Sequence, residues 1–316
     1  MASKPRVVIG RPLPEAGLGL LRTGFAVEVR GEGASREWLR EHVPGAAAII
    51  ADPSIRVDAA LLDAAGETLK VVSNFGVGSD NIDLEAARAR GVRATNTPDV
   101  PTSSTAELAV ALMLAAGRRI AEADGFVRAD RWRRAGAEQF LGRDLSGATV
   151  GLVGFGRIGR RVAELLEGFA VRLLFRSDKP DPTARGAERR ELPDLLGASD
   201  FVSLHVPLTP QTTHLIDAAE LRLMKPGSIL VNTSRGAVVN TSALIEALTV
   251  GPLAAAGLDV YEDEPQVPAE LRDLPNTVLL PHIGSATVAT RNAMARLCAE
   301  NVIAAIDGRA SPTGLV

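Results

Sequence analysis

Short apolar runs alternate with amphipathic segments along the first hundred residues. Strands are predicted where Val, Ile and Ala cluster, at residues 6–10, 46–50, 70–74 and 91–96. The segments 35–43 and 84–91 have helical spacing, and the second ends in glycine, a common helix stop. Strands that alternate with helices indicate βαβ units and a parallel sheet.

The pattern changes after about residue 99. A helical run spans residues 107–129, and the polar, basic segment 131–147 predicts a connecting arm, which we expect to pack on a second subunit. A second series of strands is predicted at residues 148–156, 171–177, 200–207, 228–234, 254–260 and 277–283. A final helix over 289–308 is expected to return to the first lobe. This pattern therefore predicts two doubly wound lobes, with the second inserted into the first. A length of 316 residues is sufficient for two domains.

Composition narrows the class of protein. Charged residues make up 23% and the net charge is −3, so nothing favours nucleic acid or an anionic membrane as a partner. The single cysteine, Cys298, excludes an internal disulfide, fits a reducing compartment and lies in a helical pattern typical of core. No signal peptide is recognisable, and the most apolar stretch, 108–117, is far short of the ~20 residues that cross a bilayer. We expect a soluble cytoplasmic protein without a metal site.

Three glycines, Gly154, Gly156 and Gly159, match G-x-G-x-x-G between a strand pattern (148–153) and a helix pattern (157–169). The first permits a tight turn, the second lets the backbone approach a pyrophosphate, and the third lets the helix sit close to the sheet. The N–H groups at the helix start favour an anion. This setting predicts a dinucleotide site. The other residues of the turn are expected to line it as well: Phe155, Arg157 and Ile158.

The second strand of this unit ends in Arg176 and Ser177, where NAD enzymes usually place an acidic residue for the ribose 2′-hydroxyl. An arginine there can pair with a 2′-phosphate through a charge-assisted fork, and Ser177 can add a hydroxyl donor. Lys179 stands nearby as a further positive charge. A solvated surface arginine is the alternative. The sequence therefore favours NADPH as the cofactor, with NADH possible but less favoured.

Among the four histidines, His282 has the placement best suited to acid–base chemistry. It ends a predicted strand before a flexible turn, where α/β folds place reacting groups. Its partner could be Glu264 in the acidic loop 261–265, because a nearby carboxylate stabilises an imidazolium proton donor. A structural His282 remains an alternative. His205 is expected to be structural or to form a cofactor wall, and no role is indicated for His214.

Two further features are candidates for binding an anion. Arg235 follows another predicted strand and could bind a substrate carboxylate bidentately, although a capping or surface arginine fits the spacing equally well. In the first lobe, the loop 74–78 carries two glycines that could expose N–H groups to an anion. An ordinary strand-to-helix loop is the alternative there.

With these residues the chain resembles the D-2-hydroxyacid dehydrogenases over nearly its whole length. The matching segments are NFGVGSDNID (74–83), NTPDVPTSSTAELAVALML (96–114), GLVGFGRIG (151–159), LHVPLTPQTTHLI (204–216), VNTSRGAVV (231–239), GLDVYEDEP (257–265) and LLPHIGSATVATR (279–291). Within the family, NTPDV and the Arg176–Ser177 pair are most similar to glyoxylate/hydroxypyruvate reductases. The plant-type hydroxyphenylpyruvate reductases are similarly close.

The resemblance implies a fold and an assembly. The fold class is α/β, with two doubly wound parallel-sheet domains. A Rossmann-type NADP-binding domain, residues 99–285, is inserted into a flavodoxin-like substrate domain formed by residues 1–98 and 286–316. The resemblance also implies a homodimer built mainly on the cofactor domain.

The family's catalytic trio falls on Arg235, Glu264 and His282. By resemblance, His282 protonates the carbonyl oxygen as nicotinamide C4 delivers hydride, and Glu264 orients His282 and keeps it protonated. Arg235 binds the carboxylate and polarises the carbonyl, and the amides of Val77 and Gly78 share the carboxylate. The positions implied to line the cofactor or close the site are Val206, Pro207, Thr212, Thr233, Ser234, Asp259, His282 and Gly284.

We therefore expect an NADPH-dependent reductase of small 2-oxo acids, glyoxylate or hydroxypyruvate, that forms D-2-hydroxy acids. One alternative is reduction of hydroxyphenylpyruvate. Another is an enzyme like 3-phosphoglycerate dehydrogenase, but the loop 75–81 supplies no basic residue for its phosphate. A third is a non-catalytic NADPH-sensing protein on the same scaffold, which the complete set of Arg, Glu and His disfavours.

Overall fold

A computed structural model describes residues 4–31, 33, 35–177 and 186–316. The chain divides into two compact units, Met1–Pro101 with Ser285–Val316 and Thr102–Gly284. The boundaries expected from the sequence follow residues 98 and 285, close to these. Each unit has its own parallel sheet with helices around it.

The first unit has a five-stranded sheet in the order β2-β1-β3-β4-β5, the flavodoxin-like order. Its strands are Arg6–Ile9 (β1), Ala26–Val29 (β2), Ala48–Ala51 (β3), Val71–Asn74 (β4) and Arg93–Thr95 (β5). Its first helices are Glu15–Gly24 (α1), Arg36–His42 (α2), Ala59–Ala65 (α3) and Leu84–Ala89 (α4). The sequence predicts all of these strands except β2, because this edge strand is partly exposed and has no continuous apolar run.

The second unit has a seven-stranded sheet in the order β12-β11-β10-β9-β6-β7-β8, which is the Rossmann order with one added strand. Its strands are Thr149–Val153 (β6), Arg172–Arg176 (β7), Ala187–Arg189 (β8), Phe201–Leu204 (β9), Ser228–Asn232 (β10), Leu253–Leu258 (β11) and Thr277–Leu279 (β12). Its helices are Thr102–Gly117 (α5), Ile120–Arg128 (α6), Arg157–Leu166 (α7), Leu192–Ala198 (α8), Ala218–Leu223 (α9), Thr241–Thr249 (α10) and Ala269–Arg272 (α11).

The strand order of the second unit determines where a ligand can bind. β6 lies between β7 and β9, so the strands that follow β6 are added first on one side of it and then on the other. Ligands of open α/β sheets bind at the carboxyl ends of the strands, beside such a switch point. The short edge strand β8 is largely exposed, and the sequence does not predict it. The fold class expected from the sequence, a Rossmann-type domain inserted into a flavodoxin-like one, is confirmed.

The last helix, Val288–Ile306 (α12), belongs to the first unit and packs on α1 and β4. Cys298 lies fully buried on this helix, where its Sγ donates to the Asn74 carbonyl oxygen at 3.5 Å. Burial raises the pKa of Cys298 to about 12, so the group stays a thiol. Neither α12 nor any other helix in the described part of the chain is long and apolar enough to cross a membrane.

The prediction of one continuous helix over 107–129 is wrong. α5 ends at Gly117, and Arg119 takes a left-handed conformation (φ 54°) before α6 begins. The arm that follows α6 packs against this break, where the Arg143 N–H donates to the Gly117 carbonyl oxygen at 2.7 Å. A Cβ at Gly142 would come closer than 3.0 Å to the same oxygen. Packing of the arm against the helix end therefore overrides the local helical pattern.

Gly17 on α1 lies against α12, where a Cβ would come closer than 3.0 Å to the Ala295 carbonyl oxygen. We expect Gly17→Ala to lower the free energy of unfolding by about 1–3 kcal/mol, the usual cost of overpacking. Gly19→Ala is the control, because its Cβ would meet only Glu15 at 3.7 Å, and alanine in a helix should stabilise by about 0.5–1 kcal/mol. Urea unfolding measures both. Equal stability of the two variants would contradict the close packing of α1 and α12.

Candidate active site

The glycine motif forms the turn between β6 and α7. Gly154 has a φ of 98°, and its N–H donates to the Arg176 carbonyl oxygen at 3.0 Å. A Cβ on Gly159 would come closer than 3.0 Å to the Gly154 carbonyl oxygen, so the fold itself requires this glycine. A Cβ on Gly156 would meet no described atom within 4 Å. Since Gly156 caps α7 without a side-chain hydrogen bond, this helix start can receive a phosphate group.

The segment after β9 runs beside the glycine turn. A Cβ on Gly154 would lie 2.5 Å from the His205 carbonyl oxygen. His205 Nε2 is buried without a hydrogen-bond partner among the described residues, and burial lowers the pKa of His205 to about 4. His205 is therefore neutral at physiological pH and unsuited to donate a proton. Further along, Thr212 Oγ1 accepts the Thr209 N–H at 2.8 Å and donates to the Pro207 carbonyl oxygen at 2.6 Å, which closes this loop.

Two arginines and one carboxylate meet at the carboxyl end of β7. Arg176 Nε lies 3.4 Å from the Glu191 carboxylate, and Arg189 Nη2 lies 3.5 Å from it. Arg189 Nε also donates to the Ser177 carbonyl oxygen at 3.1 Å. Glu191 thus reaches this strand end from beyond β8, although no carboxylate stands at the end of β7 in the sequence. Lys179 lies outside the described residues.

The segment after β10 holds Arg235. Asn232 Oδ1 accepts the Ser234 N–H at 3.0 Å and its Oγ–H at 2.8 Å, and Asn232 Nδ2 donates to the Arg235 carbonyl oxygen at 2.9 Å. Arg235 Nη1 donates to the Ser234 carbonyl oxygen at 2.8 Å. Thr233 Oγ1 is buried and has no hydrogen-bond partner within the described residues. The side chain of Asn232 therefore fixes the backbone from which Arg235 projects, just before the 3₁₀ turn Gly236–Val238.

His282 and Glu264 form a hydrogen-bonded pair. His282 Nδ1 lies 2.8 Å from Glu264 Oε2, and the other carboxylate oxygen accepts the Tyr261 N–H at 3.0 Å. One oxygen is thus held by the backbone while the other meets the imidazole. Because Nδ1 donates to the carboxylate, Nε2 is the ring atom left to hold or release a proton. The His282 side chain is 39% exposed, so a ligand can reach it.

Asp259 anchors the segment that carries His282. Its two carboxylate oxygens accept the N–H groups of Ile283 at 2.7 Å and Gly284 at 2.8 Å, and its carbonyl oxygen accepts the His282 N–H at 2.9 Å. The side chain is only 1% exposed. Burial raises the pKa of Asp259, although the two N–H donors and His282 act in the opposite direction. This carboxylate therefore sets the backbone position of the imidazole, a role that the sequence does not indicate.

In the first unit, hydrogen bonds fix the loop that contains Val77 and Gly78. The Gly76 carbonyl oxygen accepts the Thr97 N–H at 2.9 Å, and the Val77 carbonyl oxygen accepts Asn96 Nδ2 at 2.7 Å. A trans peptide points its N–H away from its own carbonyl oxygen. The N–H groups of Val77 and Gly78 are therefore directed away from residues 96 and 97.

His214, for which the sequence indicates no role, makes a specific contact. Its Nε2 lies 2.5 Å from Glu262 Oε1, in the acidic loop that also carries Glu264. The two residues are 48 positions apart, so no local spacing reveals the contact. No group of three or more His, Cys, Asp or Glu side chains in the described ranges could hold a metal ion.

Comparisons with known proteins agree with one another. Residues 110–284 match the family model for the D-isomer specific 2-hydroxyacid dehydrogenase, NAD binding domain. The chain is 49% identical to the glyoxylate reductase of Thermococcus onnurineus over 98% of this chain and 95% of the relative. A solved protein of Thermus thermophilus is 44% identical with a TM-score of 0.93, over 98% of this chain and all of that one. An NADPH-dependent glyoxylate/hydroxypyruvate reductase of Sinorhizobium meliloti, solved with NADP and malonate, is 36% identical with a TM-score of 0.90, over 99% and 97%.

Substitutions at two glycines of this turn distinguish an effect on folding from an effect on cofactor binding. Gly156→Ala adds a methyl group to open space, but alanine is a poorer N-cap than glycine, so its stability should fall by no more than about 1 kcal/mol. The methyl group would obstruct a pyrophosphate and should raise the Kd for a nicotinamide dinucleotide about tenfold, equivalent to about 1.4 kcal/mol. Gly159→Ala should instead lower the stability by about 1–3 kcal/mol. Fluorescence titration and urea unfolding measure the two effects. Unchanged cofactor binding by Gly156→Ala would show that a pyrophosphate does not bind at this turn.

Proposed function

The chain belongs to the D-isomer specific 2-hydroxyacid dehydrogenase family, and on that basis we propose that it is an NADPH-dependent reductase of glyoxylate and hydroxypyruvate that forms D-2-hydroxy acids. Membership makes it an NAD(P)-dependent oxidoreductase that acts on 2-oxo acids. The observation that carries the proposal is the 2.8 Å contact between His282 Nδ1 and Glu264 Oε2. Reduction of a carbonyl group requires a positioned proton donor, and this pair supplies one. Similar proteins include glyoxylate reductases, which supports glyoxylate as the proposed substrate.

The residues at the carboxyl edge of the second sheet fit a dinucleotide. Gly156 borders open space at the start of α7, which it caps without a side-chain hydrogen bond, and the buried Thr233 Oγ1 has no hydrogen-bond partner in the described part of the chain. The bound nicotinamide supplies the hydride that adds to the carbonyl carbon. The residues proposed to line the cofactor are Gly154, Phe155, Gly156, Arg157, Ile158, Gly159, Arg176, Ser177, Val206, Pro207, Thr212, Thr233, Ser234, Asp259, His282 and Gly284.

Substrate binding depends on the carboxylate that every 2-oxo acid carries next to its carbonyl group. The guanidinium of Arg235 can take this carboxylate bidentately, a geometry that lysine cannot reproduce. The N–H groups of Val77 and Gly78 are the second set of donors in the proposal. Their directions are fixed by the hydrogen bonds that Asn96 and Thr97 give to the neighbouring carbonyl oxygens.

Proton transfer is assigned to His282. In its imidazolium form, Nε2 donates the proton to the carbonyl oxygen while Nδ1–H stays bonded to Glu264. The charge of Glu264 favours the cationic ring before transfer, and its hydrogen bond keeps the ring in place afterwards. The exposed part of the ring allows a proton to return from water. His205 cannot take this role, because burial lowers its pKa to about 4.

A homodimer is part of the proposal. Apolar side chains stay exposed on α6 and the arm that follows it, among them Val127 (54%), Trp132 (58%) and Leu141 (65%). Phe126 and Phe140 pack edge to face in the same region, with ring centroids 5.2 Å apart. Val127 and Trp132 line one cavity together with these two rings, and exposed apolar surface of this kind is typical of a protein–protein contact. A second copy of this chain is the occupant that the family resemblance implies.

His282→Ala should remove the proton donor without disturbing the cofactor. The kcat for glyoxylate should fall about 10²- to 10⁴-fold, the usual contribution of general acid catalysis, while the Kd for NADPH stays nearly unchanged. Stopped-flow oxidation of NADPH and a binding titration measure the two quantities. His42→Ala, on α2 of the first unit, is the control and should keep wild-type turnover. Equal losses of turnover and NADPH binding would remove His282 from its assigned role.

Arg176→Ala should weaken NADPH selectively. A hydrogen bond to a charged group contributes about 1.5–3 kcal/mol, so kcat/KM for NADPH should fall more than tenfold while that for NADH changes little. Arg172→Ala is the matched control, because Arg172 lies at the opposite end of β7 and pairs with Glu188 at 2.8 Å. Steady-state kinetics with both cofactors give the ratio. An unchanged cofactor preference in Arg176→Ala would show that the 2′-phosphate is recognised by other residues.

A further inference from the structure

A second histidine–glutamate pair lies in the second unit, beside the pair proposed for catalysis. His214 Nε2 is 2.5 Å from Glu262 Oε1, and both side chains are partly buried, with 36% and 29% exposed. His214 lies at the end of the loop after β9, whereas Glu262 lies two residues before Glu264. The contact therefore ties the loop proposed to line the cofactor to the loop that supplies the carboxylate partner of His282.

Glu262 also holds two other segments. Its second oxygen, Oε2, accepts the N–H of Thr241, the first residue of α10, at 3.3 Å. The peptide between Tyr261 and Glu262 lies so close to Gly236 that a Cβ there would come closer than 3.0 Å to it. Gly236 directly follows Arg235. Glu262 is thus the point at which the segments of Arg235, of Glu264 and of the cofactor loop meet.

The backbone of His214 is fixed as firmly as its ring. Its N–H donates to the Ala237 carbonyl oxygen at 2.8 Å, and the Ile216 N–H donates to the Val238 carbonyl oxygen at 3.0 Å. His214 has a φ of 50°, a left-handed conformation that costs a non-glycine residue roughly 1–2 kcal/mol. Such a conformation persists where the surrounding contacts determine it, and it is common at functional sites. Here it aims the imidazole at Glu262.

The charge state of Glu262 suits this contact. Burial raises the pKa of Glu262, but the hydrogen bonds from His214 and Thr241 outweigh burial and bring the pKa below its usual value. The carboxylate is therefore ionised at neutral pH and can accept both hydrogen bonds. The neighbouring Asp263 side chain is exposed, so the two acidic residues differ in surroundings although they share the loop.

We propose that Glu262 and His214 are positioning residues, which hold the acidic loop so that Glu264 faces His282. The contacts form a continuous series. His214 and Thr241 fix Glu262, the short turn to Glu264 is closed by the Tyr261 N–H, and Glu264 Oε2 then meets His282 Nδ1. This proposal rests on the proposed function, because it concerns the partner of the proposed proton donor. A misplacement of about 1 Å at a catalytic group, caused by a change elsewhere, can reduce the rate about 10²-fold.

The direct test is the NMR chemical shift of His282 Nδ1 in the full-length protein without ligands, because this atom forms the hydrogen bond with Glu264. Glu262→Ala frees the acidic loop and weakens that contact, so the Nδ1 resonance should move away from its wild-type position. Glu262→Gln removes the charge but keeps an oxygen that can accept a hydrogen bond, so it should recover most of the wild-type position. Asp263→Ala removes a charge from the next position and should leave the resonance unchanged.

His214→Ala separates geometry from charge and provides a second variant if Glu262→Ala does not fold. It leaves the Glu262 carboxylate in place but removes one of its two anchors, so the Nδ1 resonance should move in the same direction by a smaller amount. If the Nδ1 resonance in Glu262→Ala and in His214→Ala is the same as in Asp263→Ala, the positioning role is wrong. If Glu262→Gln shifts as far as Glu262→Ala, the effect comes from charge alone and the proposal is also overturned.

Kinetics then distinguish this inference from the proposed function. In Glu262→Ala, kcat for glyoxylate should fall by up to about 10²-fold while KM changes little, because Arg235 still binds the carboxylate. Absence of turnover in wild type would overturn the proposed function, whereas the NMR measurement, which needs neither substrate nor cofactor, would still decide the positioning role.

Discussion

The chemistry proposed for this protein depends on one hydrogen bond, between His282 Nδ1 and Glu264 Oε2. Neither partner projects from the middle of a regular element, so each needs its own support. The Tyr261 N–H holds the second oxygen of Glu264, and the backbone of Asp259 accepts the His282 N–H. The pair is therefore supported from the carboxyl ends of two neighbouring strands, β11 and β12, and its geometry is set before any ligand arrives. This is the preorganisation that efficient proton transfer requires.

In the second unit, close contacts between backbone atoms hold together the segments that carry the site residues. Gly159 allows α7 to approach the turn after β6, and Gly236 allows the segment after β10 to lie on the acidic loop. A side chain at either position would require the neighbouring backbone to shift. Gly156 differs, because it borders open space rather than protein. The glycines of the site thus serve two purposes, and those that face protein are as necessary for its geometry as the charged residues are.

Much of the fold follows from the pattern of apolar residues, and the failures have physical causes. The buried strands are continuous apolar runs, but the edge strands β2 and β8 are too exposed to show one. The predicted helix over 107–129 breaks at Arg119, because the distant Arg143 closes on the end of α5. Tertiary contacts of this kind leave no periodic signal in the local sequence.

The site also divides into residues that the sequence indicates and tertiary contacts that it does not. His282, Glu264 and Arg235 stand at predicted strand ends, so their positions are readable, although spacing alone allows structural alternatives that only the family resemblance disfavours. The partners that determine their geometry are harder to find. His214 reaches Glu262 across 48 positions, and Glu191 reaches Arg176 from beyond an unpredicted edge strand. Sequence thus indicates which groups are suited to the chemistry, whereas the strand order determines what holds them.

The kcat for glyoxylate reduction in Glu264→Gln, compared with wild type, tests most directly whether this carboxylate supports His282 as the proton donor. The substitution preserves the size of the side chain and removes its charge, so the hydrogen bond to the imidazole loses its charge assistance. The kcat should therefore fall about tenfold or more, equivalent to about 1.4 kcal/mol, with little change in the Kd for NADPH. A kcat equal to that of wild type would contradict the central role of the His282–Glu264 pair.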